Sequence, residues 1–143
     1  MKPIGLMIKQ LHMLHMDTLN QLLKQYGLTS SQGFVLIYLI HNMKKQIEVN
    51  QKDIEKEFDI SNPTVTGILN RLQNKGLIER IVCSSDARKN QIIVTKEALA
   101  LDEEMKKGFK EQEEAMLKGF NDEEMKLLRE LLEKMMKNLG GTL

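Results

Sequence analysis

The sequence predicts a mostly α-helical fold with one small β-hairpin, and three observations carry that prediction. Apolar residues recur at helical spacing over most of the chain. Capping patterns stand in front of the periodic segments. Two runs rich in β-branched residues flank a single polar tip between positions 77 and 95. Composition agrees, since aromatic residues are 4% with no Trp while Met, Leu, Lys and Glu abound, as in helical chains with aliphatic cores. A chain of 143 residues that is 41% apolar is expected to form one folded domain.

The first helix is marked by Ile4, Met7, Leu11, Leu14, Leu19, Leu22 and Tyr26, steps of three to five residues that average a helical period, and Gly27 is expected to end it. Thr29 and Gln32 then offer a capping box for a helix that is apolar on nearly every side and so is expected to be central and buried. After the polar stretch from Lys44 to Glu48, Asn50 caps a short helix with Ile54 and Phe58 on one face. Asp59 and Ile60 make a turn, Ser61 caps the next helix, and Pro63 sits in its first turn, where a missing N–H is harmless. That helix runs to about Lys75, with Gly76 closing it. Two short helices joined by a tight turn form a helix-turn-helix.

The stretches 77–83 and 91–95 read as strands around the tip 84–90, a wing beside the helix pair. Thr95 can cap a long helix with Ala98, Leu101, Met105, Phe109 and Met116 on its apolar face, broken around Gly119 and Phe120. The last helix opens on a capping box at Asn121 to Glu124, carries Met125, Leu128, Leu132, Met135 and Leu139, and ends at Gly140 and Gly141. The fold class is therefore mostly α with a small β-wing, a winged helix-turn-helix flanked by amino- and carboxy-terminal helices. The apolar stripes of those flanking helices exceed what so small a core needs, and a self-complementary dimer interface would cover both. A monomeric bundle is the alternative.

No apolar run reaches the length of a bilayer span, the amino terminus lacks the uninterrupted apolar core of a signal peptide, and Cys83 is the one cysteine. No membrane association and a cytoplasmic location are expected. The net charge of +1 hides a division along the chain. Residues 61–95 hold 5 Lys and Arg against 2 Asp and Glu, whereas residues 96–143 hold 9 against 12. The helix-turn-helix and wing are thus the basic part, a modest footprint for a polyanion.

The segment from Ile60 to Arg80, ISNPTVTGILNRLQNKGLIER, together with Asp86-Ala-Arg88 and the strand Ile92-Ile-Val-Thr95, resembles the MarR (multiple antibiotic resistance regulator) family in its recognition helix and wing. Ala98 stands where many members have Gly. The resemblance spans nearly the whole chain and implies a sequence-specific DNA-binding transcription regulator. It would be a homodimeric repressor with dimerisation helices at about 1–27 and 97–143 and a winged helix-turn-helix at about 29–95. A winged-helix protein-interaction module without DNA binding is the competing class. Its mark would be an acidic or apolar recognition face, and this face is neither.

On a helical wheel of residues 62–74, Val65, Ile68, Leu69 and Leu72 share the inward side. Pro63, Thr66, Gly67, Asn70 and Asn74 share the outward side, flanked by Thr64 and Arg71, with Ser61 and Asn62 at the helix start. Short hydrogen-bonding side chains of this kind suit base edges in the major groove of double-stranded DNA. Asn can pair with adenine, Gly67 permits close approach, and Arg71 can reach phosphate. A solvated polar face is the alternative. At the wing tip, Arg88 and Lys89 are candidates for the minor groove, and Asp86 for holding Arg88 in place, as the resemblance also implies. Two units would read a pseudopalindrome with half-sites roughly 10 base pairs apart.

The resemblance further implies release by a small phenolic or anionic effector. Met7, Leu11, Met13, His15 and Met16 stand near where such a pocket would form, although a Met-rich stripe is more often core. His12 and His15 have a metal-compatible spacing but no carboxylate or thiol at ligand spacing beside them, so no metal site is expected. Cys83 reads as a small buried residue of the wing. No nucleophile with its base, glycine-rich phosphate loop or clustered carboxylate pair occurs, so neither enzymatic activity nor a cofactor is expected.

Overall fold

The computed structural model describes residues 1–82 and 90–142. In chain order the elements are α1 (Ile4–Gln25), α2 (Ser30–Lys44), α3 (Gln51–Phe58), α4 (Asn62–Asn74), β1 (Ile78–Val82), β2 (Asn90–Val94), α5 (Lys96–Met116) and α6 (Asp122–Asn138). Each helix and strand read from the sequence is present within a residue or two of its expected ends. Cys83, Asp86, Arg88 and Lys89 lie outside the described residues. No helix among those described is long and apolar enough to cross a membrane.

The expected caps are in place. Thr29 Oγ1 accepts from Gln32 N and the Gln32 side chain accepts from Thr29 N, both at 3.3 Å. Ser61 accepts from Thr64 N, and Asn121 and Glu124 exchange bonds of 2.8 and 3.0 Å. The Asn50 cap is reinforced by Asp53, whose carboxylate accepts from Asn50 N at 2.9 Å, closing a third reciprocal box that the capping residue alone did not reveal. Gly27 and Gly76 end α1 and α4 at φ +72° and +74°.

The chain forms two compact units, one from Met1 to Phe109 and one from Lys110 onward. In the first, α2 is the centre, as its all-round apolarity predicted: Val35, Leu36, Leu39 and Ile40 are buried together with Ile54, Val65, Leu69, Leu72 and Ile78 from the elements around it. Two glycines set how closely α1 packs. A Cβ at Gly33 of α2 would lie 2.7 Å from Leu23 Cδ2, and one at Gly108 of α5 would lie 2.6 Å from Leu22 Cδ1. Leu22 and Leu23 are the buried residues of α1. Tyr38 of α2 meets Phe58 of α3 edge-on, with ring centroids 5.6 Å apart. Burial, followed by the nearby carboxylates of Glu57 and Asp53, pushes the Tyr38 phenol above its ordinary range, so it stays protonated at neutral pH.

The earlier turns of α1 are open: Ile4, Met7, Leu11 and Leu14 are all more than half exposed, from 51 to 66%. In the second unit, α6 contains no buried residue at all. Its Leu127, Leu131, Leu132 and Met136 are exposed, and Phe120, Leu127, Leu128 and Leu131 line an open groove of about 440 Å³.

Candidate DNA interface

The helix-turn-helix is α3, the turn at Asp59 and Ile60, and α4. Asp59 takes φ +51°, a left-handed conformation that Asp tolerates better than most residues, and Ile60 N donates to Glu55 O at 3.2 Å. This reversal points α4 away from α3 while Val65, Ile68, Leu69 and Leu72 lock it into the core at exposures of 0–7%. The inward face is thus the one the wheel assigned.

The outward side is accessible. Ser61, Asn62, Pro63, Thr64, Asn70, Arg71 and Asn74 are exposed, and Thr66 and Gly67 are half-buried. A Cβ on Gly67 would meet nothing within 4 Å, so no packing inside the chain requires glycine there. A glycine within a helix costs about 1 kcal/mol relative to alanine, and here no contact inside the chain offsets that cost.

Several polar side chains on this side are held by neighbours that the sequence pattern did not single out. Gln51 at the start of α3 donates through Nε2 to Thr66 Oγ1 at 2.7 Å and to Asn62 O at 3.3 Å, joining the two helices. Asn62 Nδ2 donates to Glu55 Oε2 at 3.5 Å, and the Ser61 and Thr64 hydroxyls pair at 2.9 Å. Arg80 in β1 donates to Gln73 Oε1 at 2.6 Å and to Asn70 Oδ1. The signal for Arg80 was in the alternation of β1: Ile78 is buried, so the residue two positions on shares its face and lies over α4.

The exit of α4 is fastened to α1 and α5. Lys75 donates through its ammonium to Gly27 O at the end of α1. Thr95 donates from its hydroxyl to Gly76 O at 2.7 Å, from its N–H to Leu77 O at 3.1 Å, and accepts from Ala98 N at 3.3 Å. One threonine therefore caps α5 and ties it to the end of α4. The two strands pair antiparallel with Ile78 opposite Val94 and Arg80 opposite Ile92.

The other candidates stand apart from this face. Met7, Leu11 and Met13 are exposed and His15 and Met16 half-buried on α1. His12 is exposed, and among the described residues no three His, Cys, Asp or Glu side chains gather as a metal would need.

Known proteins bear on this arrangement. Residues 26–89 match the sequence model of the MarR family. MepR, a transcription regulator of the Staphylococcus aureus multidrug efflux pump MepA, superposes with a TM-score of 0.82 at 28% identity, over 96% of this chain and 99% of that one. MepR in its complex with DNA gives 0.75 at 28% identity, over 96% of each chain. Wild-type MarR from E. coli, at 22% identity, shares the fold with a TM-score of 0.80, over 95% of this chain and 98% of that one. The regulators of this family are DNA-binding proteins without enzymatic activity, which is the class expected from the residues. The polar face of α4, the β-hairpin beside it and these likenesses lead to one statement: residues 26–89 carry the sequence pattern of the MarR family, and the chain as a whole is similar in fold to the winged helix-turn-helix regulators MepR and MarR.

Proposed function

We propose that this protein is a cytoplasmic, homodimeric repressor that reads a pseudopalindromic DNA operator and is released by a small phenolic or anionic ligand. The observation that carries the reading is the exposed side of α4, which offers Thr64, Thr66, Asn70, Arg71 and Asn74 around a glycine with open space in front of it. Arg88 and Lys89 of the wing, steadied by Asp86, are assigned to the minor groove, where the phosphates focus negative potential.

Homodimerisation is supported by exposed apolar side chains on the first turns of α1 and along α6. Paired surfaces of this kind belong to obligate dimers. The effector pocket is assigned to the α1 residues Met7, Leu11, Met13, His15 and Met16, which a second copy would enclose. A ligand there shifts the equilibrium to the extent that it binds the DNA-free arrangement more tightly.

The test is selection of bound sequences from a random duplex pool by the purified protein, with the salt dependence of binding to the winner. An inverted repeat and a steep salt slope are expected. A folded dimer that enriches no sequence would overturn the proposal in favour of a protein-interaction role.

A further inference from the structure

Arg80 reaches from β1 to the exposed side of α4 and binds two carboxamides on it, through Nε to Gln73 Oε1 at 2.6 Å and through Nη2 to Asn70 Oδ1. A guanidinium has five N–H donors and no acceptor, so only the oxygen of an amide can face it. The orientation of both amides is therefore dictated by chemistry. With the oxygens turned to Arg80, the NH₂ groups of Asn70 and Gln73 are the ends left for a ligand. The two residues are exposed and stand three apart, on one side of the helix.

This polarity has a meaning in the major groove. Guanine displays two acceptors, N7 and O6, whereas adenine sets its N6 donor beside N7, and the bidentate pairing of Asn with adenine uses the amide oxygen as well as the nitrogen. We propose that Arg80 is a positioning residue for base recognition. By holding the oxygens of Asn70 and Gln73, it makes this part of α4 a donor surface that selects guanine over adenine. The inference rests on the reading of α4 as the DNA-contacting helix and specifies what that helix prefers.

The experiment is sequence selection from a random duplex pool with the wild-type protein, R80M, R80K and N70D, each followed by the salt dependence of binding. The wild type is expected to favour guanine about tenfold over adenine at the positions facing Asn70 and Gln73. In R80M that preference falls to about twofold with the salt slope unchanged, and R80K, which keeps donors but loses the fork, recovers part of it. N70D retains an acceptor for Arg80 but has no NH₂ group, so it loses the guanine preference at one position while keeping the other. Should R80M fail to fold, N70D decides. A uniform loss of affinity with a shallower slope in R80M would make Arg80 a phosphate contact and overturn the inference, as would a wild-type winner lacking guanine at these positions or an N70D that keeps the full preference. Absence of any enriched sequence would instead overturn DNA reading itself, and this inference with it.

Discussion

Lys44, the last residue of α2, donates to the buried carboxylate of Asp102 in α5 at 3.2 Å, and Lys106 approaches the same oxygen at 3.3 Å. The three members are unequal, because the Asp102 side chain is 7% exposed while those of Lys44 and Lys106 are 45% and 51% exposed. Removing the carboxylate leaves two hydrated lysines, whereas removing one lysine leaves the carboxylate a second partner. Asp102→Ala is therefore expected to cost about 1–3 kcal/mol of stability through a lost charged hydrogen bond and lost packing, and Lys44→Ala clearly less. Urea unfolding of the two single variants and the double variant measures this. Equal losses in the two singles would contradict the inequality.

Gly67→Ala separates stability from function. The added methyl meets open space and the helix gains propensity, so the melting temperature rises by the equivalent of about 0.5–1 kcal/mol. DNA affinity is expected to fall, because the proposed function puts the duplex in that space. Parallel thermal melts and binding isotherms check it, and a variant both more stable and equally tight would remove Gly67 from the interface.

Gly33→Ala and Gly108→Ala both force a methyl against a leucine of α1, but with different outcomes. Leu23, fully buried, has nowhere to move from Gly33, and the expected loss is about 1–3 kcal/mol. Leu22, at 7% exposure on the rim, can swing away from Gly108, and the loss should be smaller. Denaturation midpoints compared side by side would reveal a reversed order.

Leu131→Lys tests the assembly. Leu131 lies on α6 at 49% exposure with no buried neighbours on its own helix, so a charge there disturbs little within one copy. Sedimentation equilibrium is expected to show half the wild-type mass, with helical circular dichroism retained and DNA affinity reduced at least about tenfold. An undisturbed dimer would place the interface elsewhere.

Element types and caps were legible in the residues because they depend on local spacing. Thr29 with Gln32, Ser61, Asn121 with Glu124 and the closing glycines act within one helical turn, and the alternation of apolar with polar positions assigned the faces of α4 correctly. What escaped was pairwise and distant in sequence. Asp102 carries no local sign of its burial, because its partner Lys44 lies 58 positions away. Arg80 read as part of a strand, and its hold on Asn70 depends on how tightly the Gly76 turn folds β1 back along α4. Gly33 and Gly108 gave no local sign of their role, because what demands them is the contour of α1.

Thr95 carries a mechanical consequence. Its three bonds join the first turn of α5 to the carbonyls of Gly76 and Leu77, so the long helix starts from the end of α4. A movement of the first turn of α5 would be passed to the end of α4 through these bonds. On the function proposed above, an effector seated far from the duplex would then act on the recognition helix without altering a single residue that touches a base.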